Sequence, residues 1–167
     1  MFCVSGYSDS GKTWLISKLI NEFIGEGYSC AVLKHDGHDH FTDLPDSDTD
    51  IYTRSGAVCS AVFSDTRWSI HCIQSVAPEY ITDKLRSMEA PPDVIIIEGL
   101  KDSAYPKVEI VRKSICDKRV CDKNTLICIA SDCISSDDVD CPVYGIDDVR
   151  SIFMCIKHRF GMDIVWN

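Results

Sequence analysis

The chain has 167 residues, with 17 lysines and arginines against 26 aspartates and glutamates, for a net charge of −9. A composition that is 45% apolar and 26% charged fits one globular domain over residues 1–167 and excludes disorder, collagen-like repeats and coiled coil as descriptions of the whole chain. No apolar run approaches the ~20 residues of a membrane span, and an acidic surface argues against nucleic acid as the main partner.

In chain order, short apolar runs alternate with amphipathic stretches. Phe2 to Val4 reads as a first strand ended by Gly6. Leu15, Ile16, Leu19, Ile20, Phe23 and Ile24 recur at helical spacing, and Gly25 and Gly27 stop that helix. Cys30 to Leu33 is a second strand. Residues 36–50 carry six aspartates and read as a loop, with a helix from Asp48 to Gly56. Ala57 to Ser64 and Trp68 to Ile73 are two strands about a turn, followed by a helix from Glu79 to Met88. Val94 to Ile97 is continuously aliphatic, as a strand buried on both faces should be. Val108 to Val111, Leu126 to Ala130 and Val143 to Ile146 are further strands, and Asp147 to Phe160 is a last helix. This alternation predicts an α/β fold, a mostly parallel sheet flanked by helices with some antiparallel strands.

Ten cysteines are many for this length. Cys3, Cys30, Cys59, Cys72, Cys128 and Cys155 lie inside apolar stretches, which predicts reduced thiols acting as small hydrophobes. The start of the chain runs directly into the first strand, which predicts no secretory leader and a cytoplasmic protein. The spacings Cys116-x4-Cys121 and Cys128-x4-Cys133 match no common zinc pattern.

Gly6-Tyr7-Ser8-Asp9-Ser10-Gly11-Lys12-Thr13 fits the phosphate-loop pattern G-x4-G-K-[ST] between a strand and a helix. Glycines let the backbone N–H groups curl around phosphate oxygens, and the helix adds its positive end. Lys12 is expected on the β- and γ-phosphates and the Thr13 hydroxyl on Mg²⁺. Asp9 suits such a cradle only if it points outward. The metal's second carboxylate should end a neighbouring parallel strand. Glu98 does so, and Gly99 after it permits close approach to a γ-phosphate. Asp36 and Asp48 are the next candidates.

The phosphate loop, Leu33-Lys34-His35, the stretch Asp43-Leu44-Pro45 to Gly56-Ala57, Ile97-Glu98-Gly99-Leu100-Lys101, Pro106-Lys107-Val108-Glu109-Ile110-Val111-Arg112 and Ala130-Ser131-Asp132 together resemble the molybdopterin-guanine dinucleotide biosynthesis protein B family. The resemblance runs to about Val149. It implies a P-loop NTPase-like fold, a homodimer, guanine nucleotide binding with weak GTP hydrolysis, and an adapter role beside the guanylyltransferase that attaches GMP to molybdopterin. It also implies GTP and Mg²⁺ as ligands and favours Lys34 and His35 as anion contacts. The chain departs from the family's P-G-K-D-[ST] at Pro45-Asp46-Ser47-Asp48-Thr49, so that motif's lysine is missing.

Other groups keep two readings. Asp132, after a late strand, either accepts the N1–H and amino donors of guanine or serves as a turn aspartate or helix cap. Lys101, Lys107 and Arg112 are anion contacts or a solvated sheet rim. His35, His38 and His40, interleaved with Asp36 and Asp39, suit zinc or nickel as well as phosphate. The rival functions are therefore a small-molecule kinase and a metallochaperone. A kinase lid needs arginines that close over the phosphates, and residues 36–50 contain no arginine or lysine. A hydrolytic finger would fall to Arg54. With no glutamine near Glu98, the site predicts at most a slow GTPase.

Overall fold

The computed structural model describes residues 1–36 and 45–162. It contains a six-stranded parallel sheet and a separate antiparallel pair of strands. The chain divides into two compact units, Met1–His35 with Leu85–Asn167, and Asp36–Lys84.

In the first unit β1 (Phe2–Gly6) lies between β5 (Val94–Glu98) and β6 (Lys107–Val111). Its register places Val4 opposite both Glu98 and Val108. β2 (Cys30–Lys34) flanks β5, while β7 (Leu126–Ser131) and β8 (Val143–Tyr144) extend the sheet beyond β6. The five residues of β5 are all buried, as its unbroken aliphatic run predicts.

Helix α1 (Lys12–Gly25) buries Leu15, Ile16, Leu19 and Phe23, and α4 (Val149–Arg159) buries Ile152, Phe153 and Ile156. Both join one core with Phe2, Val4, Ile96, Val108, Ile110 and Ala130. Phe23 meets Phe153 edge-on at 4.9 Å between ring centroids. Arg150 reaches Glu22 at 2.6 Å and Glu26 at 3.2 Å, adding polar contacts between the two helices.

The end of α1 follows from its glycines. Gly27 takes φ 87°, which only glycine adopts without strain. Tyr28 N–H then donates to Phe23 O and Gly27 N–H to Ile24 O, each at 3.0 Å. This is the double closure of a Schellman cap, and the Tyr28 ring packs on Phe23 as its hydrophobic partner.

The opposite sheet face holds a smaller apolar cluster of Cys3, Ile95 and Ile97 with Leu33, Leu85, Leu100 and Tyr105. On β6 the alternation puts Lys107 and Glu109 out of phase with Val108 and Ile110. Both charged residues are completely buried. Lys107 Nζ donates to Ser103 O, to Ser103 Oγ at 3.0 Å and to Tyr105 O at 2.9 Å. Glu109 Oε1 accepts from the backbone N–H groups of Val120 and Cys121, and Arg119 Nε lies 3.6 Å from Oε2. The rim reading of Lys107 is therefore corrected. Its ammonium is spent on loop oxygens, which offset the cost of burying the charge.

The second unit contains α2 (Asp48–Arg54), capped by Ser47 Oγ accepting from Asp50 N–H, and the ribbon β3 (Cys59–Phe63) and β4 (Trp68–Cys72). Helix α3 (Pro78–Arg86) carries the chain across the boundary between the units. The ribbon corrects the reading of Cys59 and Cys72 as reduced core residues. They face each other across the strands and form a disulfide, with Cα atoms 4.1 Å apart. Both are exposed, since a two-stranded ribbon has no opposing layer in which alternate apolar residues become a core. The other eight cysteines are free. Thiol titration of the denatured chain should accordingly count eight groups without reductant and ten after reduction; ten without reductant would contradict the cross-link.

Candidate nucleotide site

The site lies at the carboxyl ends of β1, β5 and β6, where a parallel sheet leaves a crevice beyond its strands. β1 ends at Gly6, whose φ is 147°. A Cβ there would stand 2.6 Å from Ile110 O, so the strand turns into the loop only because the side chain is missing. Asp9, at φ 58°, occupies a left-handed position that aspartate tolerates better than most residues. It is exposed. Gly11, at φ 97°, is the N-cap of α1 and has no side-chain cap, and the first turn of the helix carries no acidic residue. The positive helix end is therefore left without the acidic side chains that commonly offset it.

Lys12 Nζ folds back on its own loop, 2.7 Å from Tyr7 O and 3.4 Å from Gly6 O. Thr13 Oγ1 donates to Glu98 at 3.3 Å from Oε1 and 3.2 Å from Oε2. Glu98 is only 9% exposed. The parallel register aligns it with Lys34, and its carbonyl accepts His35 N–H at 3.1 Å. Gly99, at φ 101°, donates its N–H to Val4 O at 3.0 Å. Ser5 Oγ donates to Gly99 O, a tie between the loop strand and the carboxylate strand that no sequence motif signals.

The expected residues thus separate by position. Tyr7, Ser8, Asp9, Ser10, Gly11, Lys12 and Thr13 form one turn, and Glu98, Gly99, Lys34 and His35 converge at the neighbouring strand ends. Lys34 and His35 are exposed, as is Lys101 in the turn after Gly99. Asp132 follows β7, and its Oδ1 accepts Lys113 N–H at 2.7 Å, so it fastens the segment after β6 as a turn aspartate would. Arg54 is held within its own unit by Asp46 at 2.9 Å and Asp50 at 2.7 Å. His38, His40 and Asp39 lie outside the described residues, among which no cluster of three His, Cys, Asp or Glu side chains is arranged to hold a metal.

Two buried polar atoms at the loop have no hydrogen-bond partner among the described residues, Ser10 Oγ and Arg112 Nε. Such orphans are uncommon in protein interiors. The donor set, a lysine, a hydroxyl and a helix end, suits a polyphosphate, and the Thr13 and Glu98 oxygens suit a hard divalent cation. Arg112 is the residue whose placement is hardest to read from sequence. Its signal is topological, since a strand flanking β1 ends beside the loop that β1 feeds.

A parallel sheet with a glycine-framed lysine loop between its central strand and first helix defines a P-loop NTPase-like protein. The family model described as "MobB: Molybdopterin guanine dinucleotide synthesis protein B" matches residues 1–132, and the chain belongs to that family. The "molybdopterin-guanine dinucleotide biosynthesis adapter protein" of Haemophilus influenzae is 30% identical over 113 residues, covering 66% of this chain and 62% of the relative. The Escherichia coli protein of the same name is 28% identical over 121 residues, covering 67% and 65%. The match therefore spans somewhat less than two thirds of each relative. Among solved structures, Bacillus subtilis MobB superposes with a TM-score of 0.74 at 22% identity over 94% of this chain and 97% of that one. The Bacillus stearothermophilus homologue gives 0.66 at 20% identity over 96% and 97%. At these identities the likeness is one of fold.

Proposed function

We propose that the chain is a nucleotide-binding adapter in molybdopterin guanine dinucleotide biosynthesis, which binds GTP with Mg²⁺ and assists a partner guanylyltransferase. The observation that carries the reading is the Thr13–Glu98 pair beside a lysine-bearing phosphate loop, in a chain whose named relatives are adapters. Tyr7 to Thr13 hold the phosphates, Thr13 and Glu98 hold the metal, and Lys34, His35, Gly99 and Lys101 line the rim toward the γ-phosphate and the pterin substrate. The whole chain acts as one nucleotide-binding domain, in the cytoplasm and as a homodimer. Phe63, Trp68 and Ile70 stand 83%, 65% and 58% exposed on one ribbon face, and an apolar patch of that kind supports self-association.

Hydrolysis by the isolated protein is slow, because rapid phosphoryl transfer needs a side chain that positions the attacking water, and no glutamine stands near Glu98 in the sequence. Lys12 and Glu98 carry the residual rate. Steady-state GTP hydrolysis with and without Mg²⁺ is the test. The rate should fall well below the ~1–100 s⁻¹ of kinases, and Glu98→Gln should lower turnover and its Mg²⁺ response more than GTP affinity. Fast turnover without a partner, or phosphoryl transfer to a small acceptor, would replace the adapter with an enzyme.

A further inference from the structure

We propose that Arg112 is a phosphate-binding residue of the nucleotide site, a second fixed cation beside Lys12. The proposal rests on the nucleotide-binding reading and adds to it a residue that the phosphate-loop pattern does not contain. β6 runs alongside β1, with Ile110 opposite Gly6, so the residue after the end of β6 arrives next to the loop. The chain then turns tightly. Arg112 O accepts from Ile115 N–H at 3.0 Å and Cys116 N–H at 2.9 Å, and Arg112 bridges Cys116. The same turn comes near the loop again at Cys116, whose thiol is the main cause that raises the Tyr7 phenol above its ordinary pKa.

This frame sets the guanidinium against Gly11. A Cβ on Gly11 would lie 3.4 Å from Arg112 Nη2 and 3.9 Å from its Cζ. Arg112 Nε is buried there without a partner, and Ser10 Oγ, one residue before Gly11, is buried without one as well. Two unsatisfied polar groups therefore border the glycine from which the helix N-terminus starts. The other arginine near β6, Arg119, faces the buried Glu109 carboxylate. Arg112 takes part in none of the ion pairs among the described residues. Leaving a half-buried guanidinium without a carboxylate beside an uncapped helix N-terminus has no structural return. An anion with several oxygens would satisfy Nε, the Nη atoms and the Ser10 hydroxyl together, and guanidinium matches phosphate with a planar fork of donors.

The test is equilibrium titration of GTP, and of inorganic tripolyphosphate as competitor, against wild type, Arg112→Met and Arg112→Lys, with circular dichroism to confirm folding. Arg112→Met should weaken GTP about 10- to 100-fold, the range of hydrogen bonds to charged groups. Tripolyphosphate should weaken by a similar factor, and Arg112→Lys should recover part of the loss. Unchanged GTP affinity in Arg112→Met, or in Arg112→Lys should the former not fold, overturns the assignment. A loss for GTP with tripolyphosphate unaffected places Arg112 on the nucleoside and also overturns it. Failure of the wild type to bind GTP would instead remove the nucleotide reading itself, in the one arm that contains no substitution.

Discussion

Lys12→Ala is expected to lower GTP affinity at least about 100-fold, the scale on which truncating one member of a desolvated charge pair is felt. Lys12 Nζ donates to the carbonyls of Tyr7 and Gly6. Its ammonium therefore lies within the loop, its donors on oxygens that a phosphate can replace. Those carbonyls sit at a part-buried to exposed position, where water can take over when the lysine is gone. The fold should consequently survive, with an unchanged circular dichroism spectrum and a melting temperature shifted by no more than a few degrees. Isothermal titration against GTP–Mg²⁺ is the measurement. Binding at wild-type strength would mean that the loop is an ordinary glycine turn before a helix.

The fold was largely legible because its strongest signals are local. The helical spacing of Leu15, Ile16, Leu19 and Phe23 reports α1, and four consecutive aliphatics ending in Glu98 report a central parallel strand. What escaped depends on neighbours distant in sequence. Lys107 looks like a rim charge, because charge usually means solvent; here its alternation with Val108 and Ile110 directs it, with Glu109, onto the sheet face covered by loops, whose backbone groups pair with both. Cys59 and Cys72 look like core thiols because they lie in apolar runs. Only the register of an isolated ribbon sets them opposite each other and outside any core.

The candidate site divides along the same line. The phosphate loop is a contiguous pattern, and Glu98 could be paired with it because a metal carboxylate must end an adjacent strand. Arg112 closes a family-like segment and reads from sequence as an anion contact or a rim charge, without saying which. Its place follows from the strand order β5-β1-β6, which a list of strands leaves open. Asp132 shows the reverse case, a residue with a suggestive position whose Oδ1 is already engaged by a backbone N–H of the segment after β6.

Gly6→Ala should be the most damaging single-methyl change in the protein. The added Cβ would meet Ile110 O at 2.6 Å and Ser10 Oγ at 3.0 Å. The nearer atom is backbone of a central strand in register with Gly6, so relief requires β1 and β6 to separate or the loop to change course. The backbone offers no escape, since φ of 147° lies outside the region open to alanine. Strain and lost packing together should cost about 3 kcal/mol or more, or a melting temperature lower by roughly 6–12 °C at this chain length. Any folded fraction should also bind GTP weakly, because the phosphate loop starts at the residue that has moved. Gly27→Ala is the internal control. Gly27 also has positive φ, at 87°, but no atom lies within 4 Å of its Cβ position, so it carries the backbone penalty without the clash, about 1–2 kcal/mol, and leaves the loop untouched. Thermal melts of the two variants, each with and without GTP, separate the effects: the Gly27 variant should retain its stabilisation by nucleotide and the Gly6 variant should lose it. Equal destabilisation and equal nucleotide response in both would show that the close approach of β6 to the loop does not govern the site.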